Sequence, residues 1–331
     1  MTHHHKRAGA LVLVLLLALG AACDRSSRDA TPPTTTTTTT TTETAACEGR
    51  PVPMVGGSEG AIDFGGIERT YLLHVPASYD RAKPTPVVFN FHGYGSSAAA
   101  QMAYADFRPL AEREGFLVVA PNGQGASRRF TLLGATATEA DDVEFAVALL
   151  DHLARQLCID ERRVFATGMS NGGALSSVIA CRASDRFAAV GAVAAMIYVP
   201  PCGDAGRRPA PIVGMMGDAD PVVPYAGGQV RCCGNPNIPA APDTIANFAK
   251  RSACDEPPEE RRPKPTIAHR VWTGCHAANA VELYTIEGGG HTWPGAAFDL
   301  ASRGLGATTQ ELVATETLWA FFEAHPLPPP T

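Results

Sequence analysis

Gly168-Met169-Ser170-Asn171-Gly172 lies between Arg163-Val164-Phe165-Ala166-Thr167 and Gly173-Ala174-Leu175-Ser176-Ser177-Val178-Ile179-Ala180. The first flank reads as a short buried strand and the second as the start of a helix. G-x-S-x-G between a strand and a helix is the pattern of a nucleophile elbow. There the serine sits at the tip of a strained turn that exposes its Oγ. Strand and helix pass close together, so the residues two before and two after the serine must be small. Gly168, Gly172 and Gly173 meet that demand. A Gly-rich turn with an incidental serine is the plainer alternative. The strand before and the helix after favour the elbow.

Outward from the elbow, strands alternate with helices. Residues 70–76 and 86–91 read as strands, and Ser97 caps a helix expected to run through Ala111 and end near Gly115. A buried strand follows at 116–120, then a long loop over 121–140. Asp141 and Asp142 open an amphipathic helix with Val143, Val147, Leu150, Ala154 and Leu157 on one face. Past the elbow come strands at 187–195 and 211–216, a helix over 242–253, strands at 267–273 and 281–286, and a last helix over about 308–324. This alternation predicts right-handed crossovers and an α/β fold with a mainly parallel sheet. The expected domain spans 47–325, followed by a Pro-rich tail at 326–331.

Ahead of the domain, Lys6 and Arg7 precede an apolar run from Ala8 to Leu19, the pattern of an export signal over 1–22. Gly20-Ala21-Ala22-Cys23 resembles a lipobox, although Leu19 stands four rather than three before the cysteine. Lipid on Cys23 would leave eight of nine cysteines for pairing. Residues 23–46 hold an unbroken threonine tract behind Pro32-Pro33 and read as an unfolded stalk. Nine cysteines without a C-x-x-C pair suit disulfides in an oxidising compartment rather than zinc. Cys232 and Cys233 are adjacent, and they are not expected to pair with each other. Losing Lys6 and Arg7 with the leader takes the net charge from −6 to −8, which disfavours nucleic acid as a partner.

A serine hydroxyl needs an adjacent base, and the base needs an orienting acid. In a strand–elbow–helix architecture these follow in the order Ser, acid, His, each in a loop after a strand. Asp220 and Asp218 are the acid candidates, with Asp220 preferred because Pro221 fixes the backbone behind it. His291 is the base candidate, after Gly288-Gly289-Gly290. His92 is its rival, but it precedes the serine and sits where an oxyanion loop belongs. The backbone N–H groups of Asn171 and Tyr94 are the expected oxyanion donors. Among the aromatics near these loops, Trp293 is expected to line the site. No motif calls for a metal or an organic cofactor.

Taken together, His92-Gly93-Tyr94-Gly95, Asp141-Asp142-Val143, Gly168-Met169-Ser170-Asn171-Gly172-Gly173, the run from Asp218 to Tyr225, and Gly288-Gly289-Gly290-His291-Thr292-Trp293-Pro294-Gly295 resemble the secreted polyhydroxybutyrate depolymerase and feruloyl esterase family, which includes mycobacterial lipoprotein esterases. The resemblance spans about 65 to 323. It implies an α/β-hydrolase fold, a Ser170–Asp220–His291 triad and a Cys254–Cys275 disulfide. A Cys181–Cys202 disulfide is the weaker expectation. The family usually has His-Gly before the acid loop, where this chain has Met216-Gly217.

The leading expectation is therefore a secreted or lipid-anchored serine esterase, monomeric, touching a membrane only through its anchor. An acyltransferase acting on cell-envelope acceptors and a non-catalytic surface binding protein are the competing readings. Short-chain, hydroxyalkanoate, feruloyl and acetylated-polysaccharide esters all stay open as substrates, with loops 121–140 and 226–241 expected to decide.

Overall fold

The apolar strands around the elbow assemble into the centre of one ten-stranded sheet. Its order is β1 (Gly56–Phe64), β2 (Ile67–Val75), β4 (Leu117–Pro121), β3 (Thr85–Phe91), β5 (Ile159–Met169), β6 (Ala189–Val193), β7 (Ile212–Gly217), β12 (Val281–Ile286), β11 (Ile267–Trp272), β10 (Glu259–Lys264). The computed structural model describes residues 47, 53–132, 140–198 and 210–329. The six strands from β4 through β12 run parallel. Antiparallel pairs close both sides, β1–β2–β4 at one and β12–β11–β10 at the other. A two-stranded ribbon, β8 (Gly228–Gln229) with β9 (Asn237–Ile238), lies apart from the sheet.

Side chains alternate across the sheet, as strand geometry demands. Val87, Phe89, Phe91, Val164 and Ala166 face one apolar cluster, while Val88 and Phe165 face the other. Three helices supply the first cluster: α3 (Asp142–Ala154), α4 (Asn171–Arg182) and α5 (Ala241–Arg251). Three more supply the second: α1 (Ala98–Tyr104), α2 (Arg108–Glu114) and α6 (Ala314–Glu323). Aromatic stacking docks α6, with Trp319 on Phe116 at 4.0 Å and Phe322 on Phe165 at 4.9 Å. Each such pair adds about 1 kcal/mol beyond the area it buries.

Several boundaries differ from the sequence reading. The helix expected through Ala111 is two helices: α1, capped by Ser97 Oγ at 3.2 Å from the Ala100 N–H, stops at the Ala105–Phe107 turn. The second, α2, then starts afresh with a proline in its first turn and ends at Gly115 with φ 76°. The last helix begins at Ala314, not near 308, because the preceding residues are engaged elsewhere. Ala307 and Leu305 accept backbone hydrogen bonds from Gly290 and His291 at 2.9 and 2.6 Å. On α3 the buried face is Val143, Phe145, Ala146, Leu149, Leu150 and Leu153, which places Val147 and Ala154 at its edge.

Three described disulfides join Cys47 to Cys158, Cys254 to Cys275 and Cys232 to Cys233. The last corrects the expectation that the adjacent cysteines stay apart. A tight turn with φ 60° at Cys233 brings the two sulfurs together. Cys181 is also disulfide-bonded. Cys202 lies outside the described residues, as do the leader, Cys23 and the threonine tract. No helix among the described residues is long and apolar enough to cross a membrane.

Candidate active site

Strand order reverses at β3: β4 lies on one side of it and β5 on the other. A crevice opens beyond the carboxyl ends of the strands at such a reversal. The loops after β3, β5, β7 and β12 carry Tyr94, Ser170, Asp220 and His291 to this end of the sheet.

Ser170 joins β5 to α4 at φ 56° and ψ −119°, a conformation that costs an L-residue about 1–3 kcal/mol. Its N–H donates to the Val193 carbonyl on β6 at 2.8 Å, and its carbonyl accepts from the Ala174 N–H at 2.8 Å. The flanking glycines permit this turn. A Cβ on Gly168 or Gly172 would strike the Phe91 carbonyl of β3, and one on Gly173 would come within 2.7 Å of the Val193 carbonyl. The helix that follows is buried from Gly172 to Cys181. Its inward hydroxyls are satisfied, Ser176 by the Gly172 carbonyl at 2.9 Å and Ser177 by the Ala174 carbonyl at 2.7 Å.

Asp220 and His291 meet. The His291 Nδ1–H donates to Asp220 Oδ2 at 2.7 Å, with 7% and 2% of the two side chains exposed. The other carboxylate oxygen accepts from the Val222 and Val223 N–H groups at 2.7 and 2.8 Å, which fixes its orientation. Asp218 points elsewhere and accepts from the Gly288 N–H at 2.6 Å, pinning the glycine run ahead of His291. Gly217 lets the two loops close, since a Cβ there would collide with the Gly289 carbonyl. Met216, where the resembled family carries histidine, is buried in the core.

The rival histidine is structural. His92 is fully buried, its Nε2 accepting from the Gly123 N–H at 2.9 Å. Its Nδ1–H therefore donates to the Gly93 carbonyl at 2.7 Å. Burial pushes its pKa down to about 4, so the ring is neutral near pH 7 and braces the loop of Tyr94.

Ser170 and His291 share a cavity of about 480 Å³. Tyr94, Tyr104, Phe298, Leu300 and Leu305 give it an apolar wall, and Arg231 with the Cys232–Cys233 disulfide forms part of another. Trp293 is not in this wall. It is 1% exposed and packs edge-on against Phe107 at 6.1 Å, in the core beneath α1 and α2. Being two residues from His291 does not bring the indole to the cavity, because it is taken up by the apolar core. Tyr104 and Phe298, whose rings lie 5.0 Å apart, take the lining role instead. Neither carried a sequence signal, for both lie outside the expected loops.

No group of three or more His, Cys, Asp or Glu among the described residues is arranged to hold a metal ion.

Known proteins share parts of this sequence and this fold. The model of the prolyl oligopeptidase family matches residues 103–200, a span holding the elbow but neither Asp220 nor His291. Feruloyl esterase C of Emericella nidulans is 29% identical over 262 residues, 77% of this chain and 84% of that protein. Feruloyl esterase B of Piromyces equi is 29% identical over 230 residues, 67% of this chain and 42% of that protein. Among solved structures, an acetyl xylan esterase from Aspergillus awamori superposes with a TM-score of 0.55 at 15% identity, covering 75% of this chain and 97% of that one. The fold is that of the α/β-hydrolases. Within that class the chain is a carboxylic ester hydrolase.

Proposed function

We propose that this esterase works through an acyl-enzyme formed on Ser170. Ser170 Oγ attacks the ester carbonyl while His291 Nε2 takes its proton. Asp220 holds the imidazole in the tautomer that leaves Nε2 free and stabilises the imidazolium that forms. The N–H groups of Asn171 and Tyr94 receive the developing oxyanion. The alcohol departs with the proton from Nε2. Water, activated by the same nitrogen, then releases the acid. The buried 2.7 Å contact between His291 and Asp220, in the cavity that Ser170 lines, carries this reading.

The aromatic wall of Tyr94, Tyr104 and Phe298 supports an aryl-bearing ester as substrate, in keeping with the feruloyl esterases to which the chain is similar. The disulfides and the export-type leader support action outside the cell, and Cys23 is the proposed lipid anchor. A fluorophosphonate probe tests the nucleophile. Peptide mapping is expected to find the adduct on Ser170, and an adduct elsewhere or none rejects the assignment. Mass spectrometry of the N-terminus of the exported protein tests the anchor: diacylglyceryl on Cys23 is expected, and an unmodified terminus rejects it.

A further inference from the structure

The cavity carries charge that ester hydrolysis by itself does not need. Arg231 and Arg303 line it together with Ser170 and His291, and no Asp or Glu among the described residues does. Neither guanidinium has an ion-pair or hydrogen-bond partner among the described residues. Several other arginines are paired: Arg113 with Glu316, Arg182 with Asp141, Arg186 with Asp151 and Arg262 with Glu287. Arg128, in the loop beside the site, donates to the Gly95 carbonyl at 3.2 Å. In a chain of net charge −6, this cavity is lined by two arginines and, among the described residues, by no carboxylate.

Both arginines come from shaped backbone. The Arg231 N–H donates to the Val222 carbonyl at 2.9 Å, two residues past Asp220, and the next two residues form the Cys232–Cys233 disulfide. Arg303 ends a short 3₁₀ turn, Ala301–Arg303, closed by Gly304 at φ 75°. The two thus reach one cavity from separate loops. A guanidinium presents a planar fork of donors that matches a carboxylate, and the two exposed arginines can meet one at the cavity mouth.

Resting on the esterase reading, we propose that the substrate is an ester bearing a second, ionised carboxyl group, which Arg231 and Arg303 bind while Ser170 faces the ester carbonyl. Half-esters of dicarboxylic acids carry that group on the acyl side. Esters of hydroxy acids with a free carboxyl carry it on the alcohol side.

Two matched pairs of esters test this and tell the sides apart. Mono-p-nitrophenyl glutarate against p-nitrophenyl valerate places the charge on the acyl side. Para-acetoxybenzoate against para-acetoxybenzamide places it on the alcohol side. The readout is the ratio of kcat/KM, charged over neutral, in the wild type and in the Arg231→Gln/Arg303→Gln double variant. The ratio is expected to fall by about tenfold or more in one pair, since bonds between charged groups are lost. A ratio that stays within about twofold in both pairs overturns the proposal, whatever happens to overall rate. If the wild type hydrolyses none of the four, the esterase reading fails by itself. The carboxylate site is then judged by calorimetric titration with glutarate and para-hydroxybenzoate. Weaker binding to the double variant supports it, and equal binding overturns it.

Discussion

The side chain of Asn171 clasps the backbone of Phe130 from both sides. The Phe130 N–H donates to Asn171 Oδ1 at 2.7 Å, and Asn171 Nδ2 donates to the Phe130 carbonyl at 3.1 Å. The residue next to Ser170 thereby holds a loop 41 positions away in sequence. That loop sets the Phe130 ring against His92 and Phe91, at 4.7 and 5.3 Å, and offers the Ser127 carbonyl to the Gly95 N–H at 3.0 Å. Asn171→Ala keeps the proposed oxyanion N–H but removes the clasp. We expect kcat to fall about tenfold with little change in KM, since roughly 1 kcal/mol goes with each bond. An unchanged kcat in steady-state assays would show that the clasp does not position the site.

His92 makes stability depend on pH. Its folded pKa, about 4, lies below the ordinary value of 6.5 because burial disfavours the charged ring. Between those values the unfolded chain binds the extra proton, so stability rises with pH across the window. It is fully present above about pH 6.5 and is lost as pH falls towards 4, by at most about 3 kcal/mol. Urea titrations of the wild type and His92→Gln over pH 4 to 7 check this. The variant should be the less stable near pH 7, with a flatter slope; parallel slopes refute the assignment.

The residues that could be read in advance are those with local causes. Gly168, Gly172 and Gly173 mark the elbow because no Cβ fits between β3, β5 and α4. The apolar strands β3 to β7 announce themselves because both faces of the sheet are covered. Strand β1 could not be read, for Gly56-Gly57-Ser58-Glu59-Gly60 has no strand-forming composition. It exists because it pairs along nine residues with β2. Strand β10 is fully exposed and charged, which keeps an edge from pairing with another chain but hides it from an apolar pattern. The Asn171–Phe130 clasp and the Cys47–Cys158 disulfide span 41 and 111 residues, and no local rule connects such positions.

Arg69 and Asp142 form a buried pair, 2% and 0% exposed, with Arg69 Nη2 2.5 Å from Asp142 Oδ1. Burial pushes the Asp142 carboxyl above its ordinary range despite the guanidinium beside it. Its other oxygen accepts from Gln124 Nε2 at 2.9 Å and the Thr131 N–H at 2.6 Å, so the pair also anchors the loop carrying Phe130. Removing one partner strands a buried charge. Asp142→Ala should cost about 3–5 kcal/mol in urea unfolding. A loss below about 1 kcal/mol contradicts the role given to the pair.

The Cys47–Cys158 bridge closes a loop of 111 residues and ties the start of the domain to the entry of β5. Replacing both cysteines by alanine should lower stability by roughly 3–5 kcal/mol through the freed unfolded chain, while leaving kcat at 25 °C nearly unchanged. Differential scanning calorimetry with a parallel ester assay separates the two effects. An unchanged melting temperature contradicts the expectation.

Everything proposed for this site depends on Ser170 being the nucleophile of an ester hydrolase. The most direct measurement is kcat/KM for methyl ferulate and for p-nitrophenyl esters of increasing chain length, in the wild type and in Ser170→Ala. Turnover by the wild type is expected, with a loss of about 10⁴-fold or more in the variant. Wild-type hydrolysis that survives the substitution within tenfold would contradict it.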